Sequence, residues 1–171
     1  MEVNNTIWTI GHSTRSFGDF LEMLQGFGIE VLADVRSFPG SRRYPHFNQE
    51  YLQQHLPLHS MEYMHFPELG GRRKPLPGNA SAWRNTAFRG YADYMETEAF
   101  KAGVERLLKV AGKRRTAYMC SEAVWWRCHR SLISDYLKAR GLLVMHIMDR
   151  GKAVEHPYTQ PAKVVQGKLF Y

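Results

Sequence analysis

Both cysteines of the chain, Cys120 and Cys128, fall in one stretch, MCSEAVWWRCHR, that also carries Glu122, Arg127, His129 and Arg130. A thiol attacks only as its thiolate, and a nearby cation, imidazole or helix N-terminus favours that form. Cys128 sits beside His129 and Arg130, just ahead of Leu132, Ile133, Tyr136 and Leu137 at helical spacing. That makes it a candidate nucleophile, with a small buried side chain as the ordinary alternative. Cys120 is a further catalytic candidate, and with Cys128 and His129 it would serve a thiol- or metal-dependent regulator. Glu122 is a candidate general base and His129 a proton donor or base, the rival for Glu122 being an ion pair with Arg127 or Arg130.

Two familiar chemistries do not fit this stretch. A phosphatase loop needs five residues between cysteine and arginine and glycines among them, whereas six residues and no glycine separate Cys120 from Arg127. Glu122 would also repel a phosphate there. A zinc site could recruit Cys120, Cys128 and His129, but no Cys-x-x-Cys pair and no zinc deaminase signature occurs, so no metal is assigned. No GxGxxG or GxxxxGKS/T run occurs either, and no cofactor is expected.

The elements that must position these groups follow from apolar spacing. Ile7 to Ile10 reads as a strand, and Ser16 as the cap of a helix with Phe17, Phe20, Leu21, Leu24 and Phe27 on one face and Gly28 as its stop. Glu30 to Val35 is a second strand, so the pair forms a βαβ unit with parallel pairing. Asn48 is the expected cap of a short helix through Leu56, and Met61 to Phe66 a third strand. Pro67 to Arg89 is the longest irregular stretch, Tyr91 to Ala111 one continuous helix, and Thr116 to Met119 a fourth strand. Leu142 to Met148 is a fifth, and residues 149–171 read as a tail or hairpin after a core of about 6–148. The expectation is one α/β domain over residues 1–171: three layers, a mostly parallel sheet of about five strands, helices on both faces. A closed barrel of eight units would take about 250 residues.

Parallel strands share one C-terminal edge, where α/β sheets hold ligands. His12 and Ser13 arrive there from the first strand, Asp34 and Arg36 from the second, Gly70 and Gly71 from the third, Cys120 and Glu122 from the fourth. His12 and Asp34 are further acid–base candidates; Asp34 has a rival role in fixing Arg36. Arg36, Arg42, Arg43, Arg89 and Arg130 are candidate holders of an anion through the planar guanidinium fork, with Arg42 and Arg43 also readable as solvated surface. His146, inside an apolar strand, reads as a core histidine. Trp125 and Trp126 read as packing residues, with base stacking second.

The net charge of +7 suggests an anionic partner, nucleotide or nucleic acid before membrane. Two cysteines in one loop fit a reduced compartment, and neither a signal peptide nor a membrane-length apolar run is present. A cytoplasmic protein with no membrane partner is expected.

The motifs TIGHS, DVRSFPGSRRYPHFN, LGGRR, FRGYADYM and MCSEAVWWRCHRSLI, in this order, resemble the family called domain of unknown function 488, from about Thr9 to His146. The resemblance implies a shared pocket built from the motif positions: the groups named above together with Asn48 and Tyr91. The expected function is an enzyme of hydrolase or transferase type, acting on an anionic nucleotide or nucleic-acid substrate at the C-terminal edge of the sheet. A non-enzymatic nucleic-acid-binding module and a thiol- or metal-dependent regulator are the alternatives.

Overall fold

The computed structural model describes residues 4–78 and 81–171; residues 1–3, and residues 79 and 80 of the expected irregular stretch, lie outside it. Its elements run β1 (Thr6–Gly11), α1 (Phe17–Gln25), β2 (Val31–Asp34), α2 (Gln49–His55), β3 (Glu62–His65), α3 (Thr86–Tyr94), α4 (Glu98–Lys113), β4 (Thr116–Cys120), α5 (Arg130–Ala139), β5 (Leu143–Asp149) and β6 (Lys152–Glu155). A hairpin of β7 (Lys163–Val165) and β8 (Lys168–Phe170) ends the chain.

The six-stranded sheet has the order β3-β2-β4-β1-β5-β6. Only β6 is antiparallel to its neighbour; the other pairings are parallel. Side chains alternate between faces along each strand. On β4, Tyr118 joins one core, with Tyr91, Phe100, Val104, Leu107, Leu132 and Leu137 of α3, α4 and α5. Ala117 and Met119 join the other, with Phe20, Leu21, Leu24 and Leu52 of α1 and α2. The fold is therefore the expected three-layer α/β architecture. Among the described residues no helix is long and apolar enough to cross a membrane.

One consequence of this order positions everything that follows. β1 leads into α1 on one face, and its neighbour β4 leads into α5 on the other. Adjacent parallel strands whose chains depart to opposite faces leave a crevice beyond their C-terminal ends, the switch point of an open α/β sheet.

Four expectations change in detail. β1 and β2 are parallel but not neighbours, because β4 pairs with both. The helix expected over Tyr91–Ala111 is two helices, α3 and α4. Thr97 breaks them by capping α4, its Oγ1 accepting from Phe100 N–H at 3.3 Å, and the apolar spacing continues across the break and hides it. The irregular stretch ends at Asn85, so Arg89 is already helical. Asn48 precedes α2 without capping it, since its Oδ1 instead accepts from Ser41 N–H at 2.5 Å. Ser16, by contrast, caps α1 as expected, accepting from Asp19 N–H at 3.1 Å, and Gly28 and Gly141 take the left-handed conformation at φ 66° and 94°.

Thr97→Ala should lower stability by about 1 kcal/mol, the usual cost of a lost cap; denaturant unfolding monitored by circular dichroism checks it.

Candidate functional site

The crevice between β1 and β4 is stitched shut at its base by backbone. His12 N–H donates to Cys120 O at 3.0 Å and Ser13 N–H to Ser121 O at 2.9 Å. The approach is so close that a Cβ on Gly11 would lie 1.6 Å from Glu122 O, so only glycine fits. Above it opens a cleft of about 640 Å³, walled by His12, Ser13, Arg36, Gly71, Tyr91, Cys120, Glu122, Cys128 and His129. Arg72, Arg127, Ser37, Phe38 and Phe88 are also among its lining residues.

At its floor lies a thiol centre. Cys128, just before α5, is 7% exposed. Its Sγ lies 3.3 Å from His129 Nδ1 and accepts from Arg130 N–H at 3.5 Å. His129 Nε2 lies 2.8 Å from Val35 O. A carbonyl only accepts, so Nε2 carries the hydrogen and the neutral ring turns the Nδ1 lone pair toward Cys128. Burial opposes ionisation of Cys128, but hydrogen bonding with the Cys120 thiol, whose Sγ also lies 3.7 Å from Glu122 O, and the Arg130 cation together bring its pKa below that of an ordinary thiol. Cys120 moves the opposite way: burial, then its hydrogen bond to Cys128, raise it well above the usual value. Burial likewise lowers the pKa of His129. The centre thus holds one thiol prepared to ionise, one prepared to stay protonated, and an imidazole able to take a proton from the first.

Other candidates have mainly structural partners. Asp34 is fully buried, and its carboxylate accepts from Arg36 N–H, Nε and Nη2 at 3.1, 2.9 and 2.7 Å and from Tyr63 OH at 2.5 Å. With every lone pair engaged it is not placed to act as a base. Arg36 Nη2 also donates to Phe47 O at 2.7 Å, leaving Nη1, 3.3 Å from His12 Nε2, as its only group toward the cleft. His12 Nδ1 meets Ser13 O at 2.9 Å, so this ring is neutral with its hydrogen on Nδ1 and Nε2 accepting from Arg36. Burial first, aided by Arg36, lowers its pKa to about 4.

Glu122 is exposed at the rim, not buried, and its carboxylate forms no ion pair among the described residues. Arg42 and Arg43 are exposed outside the cleft, Asn48 holds the Ser41 loop, and Arg89 on α3 does not line the cleft either. Tyr91 is 1% exposed and donates to Leu69 O at 2.7 Å. Gly70 packs against Ser37 and Gly71 against His129, where a Cβ would come within 2.3 Å of Ser37 Oγ and 3.1 Å of Nδ1.

Arg130 is 1% exposed and holds no carboxylate. Its Nη2 donates to Glu122 O at 2.9 Å and its Nη1 to Thr9 Oγ1 at 3.2 Å. From Thr9 a buried chain continues: Oγ1 to His146 Nδ1 at 2.5 Å, His146 Nε2 to His156 Nδ1 at 2.8 Å, His156 Nε2 to Asp135 Oδ1 at 2.8 Å. Only one direction satisfies every member: Arg130 donates to Thr9, Thr9 to His146, His146 to His156, and His156 to the carboxylate. Both imidazoles are then neutral, and burial, with His156 and Arg130 adding to it, lowers the His146 pKa to about 2. Asp135 also accepts from Thr159 and Tyr171 of the C-terminal segment.

Sequence reasoning passed over Arg72 and Arg127 as cleft residues and missed this chain. Arg72 follows two glycines that the cleft needs, which was a usable signal; Asp135 and His156 carried none. Among the described residues no group of three or more His, Cys, Asp or Glu could hold a metal ion. A family model described as Domain of unknown function DUF488 matches residues 16–137. Neither the curated proteins nor the solved structures gave a match.

Two outcomes follow from the buried charges. Asp34→Ala should cost about 3–5 kcal/mol, because it strands the buried Arg36 charge; a variant that unfolds like wild type in denaturant would contradict this. His12 binds a proton below about 6.5 when unfolded but only below about 4 when folded. Stability is therefore full above that range and falls as pH drops through it, and His12→Gln should lose less of it than wild type in acid titrations followed by unfolding.

Proposed function

This chain belongs to the DUF488 family, and on that footing we propose that it is an enzyme of hydrolase or transferase type, using Cys128 as nucleophile on an anionic nucleotide or nucleic-acid substrate. The observation that carries the reading is the setting of Cys128: on the wall of a cleft, its pKa lowered, with the His129 Nδ1 3.3 Å from its Sγ.

In the proposed sequence His129 Nδ1 takes the Cys128 proton and Sγ attacks the electrophilic atom of the substrate. One bond forms to sulfur while the bond to the leaving group breaks; the electron pair departs with that group, which takes the proton from His129. Water, for hydrolysis, or a second acceptor, for transfer, then attacks the same atom and returns the electron pair to sulfur, with the rim carboxylate of Glu122 placed to take the proton. Arg72 and Arg127, both exposed and on the cleft wall, are the cations that would hold the anion. Cys120 supports the thiolate by remaining a donor.

A second reading is favoured by the same thiol pair: a thiol-dependent regulator, in which Cys128 reacts but nothing is turned over. Peptide-resolved alkylation across pH, together with mass spectrometry of pooled DNA, RNA and nucleotides after incubation, separates the two. Cys128 should alkylate with a midpoint below the ordinary thiol value of about 8.5, and Cys128→Ser should yield no product while folding normally. Glu122→Gln should keep binding and lose turnover. A Cys128 midpoint at or above the ordinary value would remove the nucleophile, and a reactive Cys128 without any product would leave the regulator.

A further inference from the structure

Beside the thiol cleft lies a second hollow of about 750 Å³, whose walls are largely aromatic: Trp83, Phe88, Trp125, Trp126 and Tyr158, with Arg84 at its edge. We infer that this groove is a stacking subsite for the bases of a single-stranded nucleic acid whose phosphates lie in the adjoining cleft. The inference rests on the cleft taking an anionic nucleotide or nucleic-acid substrate, and it names the form of that substrate.

Continuity is the first argument. Phe88 lines both hollows, and the short turn Trp125–Arg127 gives Trp126 to the groove and Arg127 to the cleft. A ligand crossing this shared wall meets cations on one side and ring faces on the other, the alternation of a nucleotide strand.

Exposure is the second. Trp126 is 51% exposed and Tyr158 38% exposed, although apolar area in water is unfavourable by roughly 25 cal/mol per Å². Neighbouring rings are not short of packing. Trp125 stacks on His146 at 4.7 Å with planes 4° apart, and Trp83 meets Phe88 and Tyr171 edge-on at 5.0 and 5.5 Å. The groove is a braced platform on which Trp126, edge-on to Trp125 at 5.5 Å, and Tyr158, with Lys138 Nζ 5.0 Å from its ring centre, keep exposed area, which lowers the entropy lost when a planar group docks. Stacking suits any base because every base has a π face, whereas a duplex keeps its faces covered. Charge supports the same occupant: the chain carries +7, and Arg84, Arg127 and Arg72 are exposed along this side.

The test is fluorescence anisotropy of a labelled short oligothymidylate with the full chain, alongside an abasic strand of equal length and thymidine monophosphate as competitor. Wild type should bind the oligothymidylate more tightly than the abasic strand. Trp126→Ala should weaken oligothymidylate binding roughly 5- to 150-fold and abasic binding little; Tyr158→Ala, a second exposed ring, should act in the same direction. Equal affinity for both strands, or Trp126→Ala and Tyr158→Ala variants that bind like wild type, would overturn the subsite. Competition by the monophosphate as effective, per site, as by the strand would overturn the single-strand assignment. Because the readout is binding, a failed Cys128 assignment would leave this result standing, and a failed subsite would leave the thiol titration standing.

Discussion

A buried guanidinium with no carboxylate beside it is the constraint on which this structure turns. Removing a charge from water costs several kcal/mol unless hydrogen bonds and counter-charge replace the solvent. The Arg130 guanidinium meets part of that cost with two neutral acceptors, Thr9 Oγ1 on β1 and the Glu122 carbonyl after β4, its Nε having no partner among the described residues, while its backbone N–H ties the turn before α5 to Cys128 Sγ. Those are the strands and helix that define the switch point, so the side chain that demands solvation also fixes the crevice. The Arg130 cation in turn favours the thiolate form of Cys128. Lowering the pKa of that thiol is owed first to its hydrogen bond with Cys120 and then to the buried arginine.

The architecture was legible because parallel strands announce themselves as short apolar runs, and because a common edge collects whatever polar residues end them. His12, Cys120 and Cys128 do meet there, with His129. What pattern could not show is which polar residue at that edge faces the ligand and which faces its neighbour. The ion pair of Asp34 with Arg36, two residues on and just past the end of β2, was within reach of the sequence as the rival role for Asp34. The exposure of Glu122 could not, since it depends on how a loop without periodicity leaves β4. The split between α3 and α4 was hidden for a related reason: apolar spacing reports a buried face, and that face runs on unbroken through the turn that Thr97 caps.

The C-terminal segment was the least legible part, and physically the reason is that its role is made by one residue at a time. β6 is a short edge strand, KAVE, charged at both ends as exposed edges tend to be. Its pairing with β5 sets His146 opposite Val154 and delivers His156, just beyond, against His146 and Asp135. An antiparallel partner is required for this. A parallel strand would have needed a long crossover to reach the same place.

Seen from α5, the same connection explains why the hydrogen-bonded chain runs in one direction. Arg130 begins the helix and Asp135 lies on it five residues later, both buried, as are Leu132, Ile133 and Leu137 on the same helix. The two charges do not touch. Between them stand a hydroxyl and two imidazoles that each can donate once and accept once, and burial lowers the pKa of His146 among them. In this order every donor faces an acceptor, and the two ends, a guanidinium that only donates and a carboxylate that only accepts, set the orientation of the chain. The aromatic ring of Trp125 lies flat on His146 and closes that chain from the groove side. The position of the thiol's cation therefore depends on residues as distant in sequence as Thr9 and His156, and the segment after β5 is part of what holds the site.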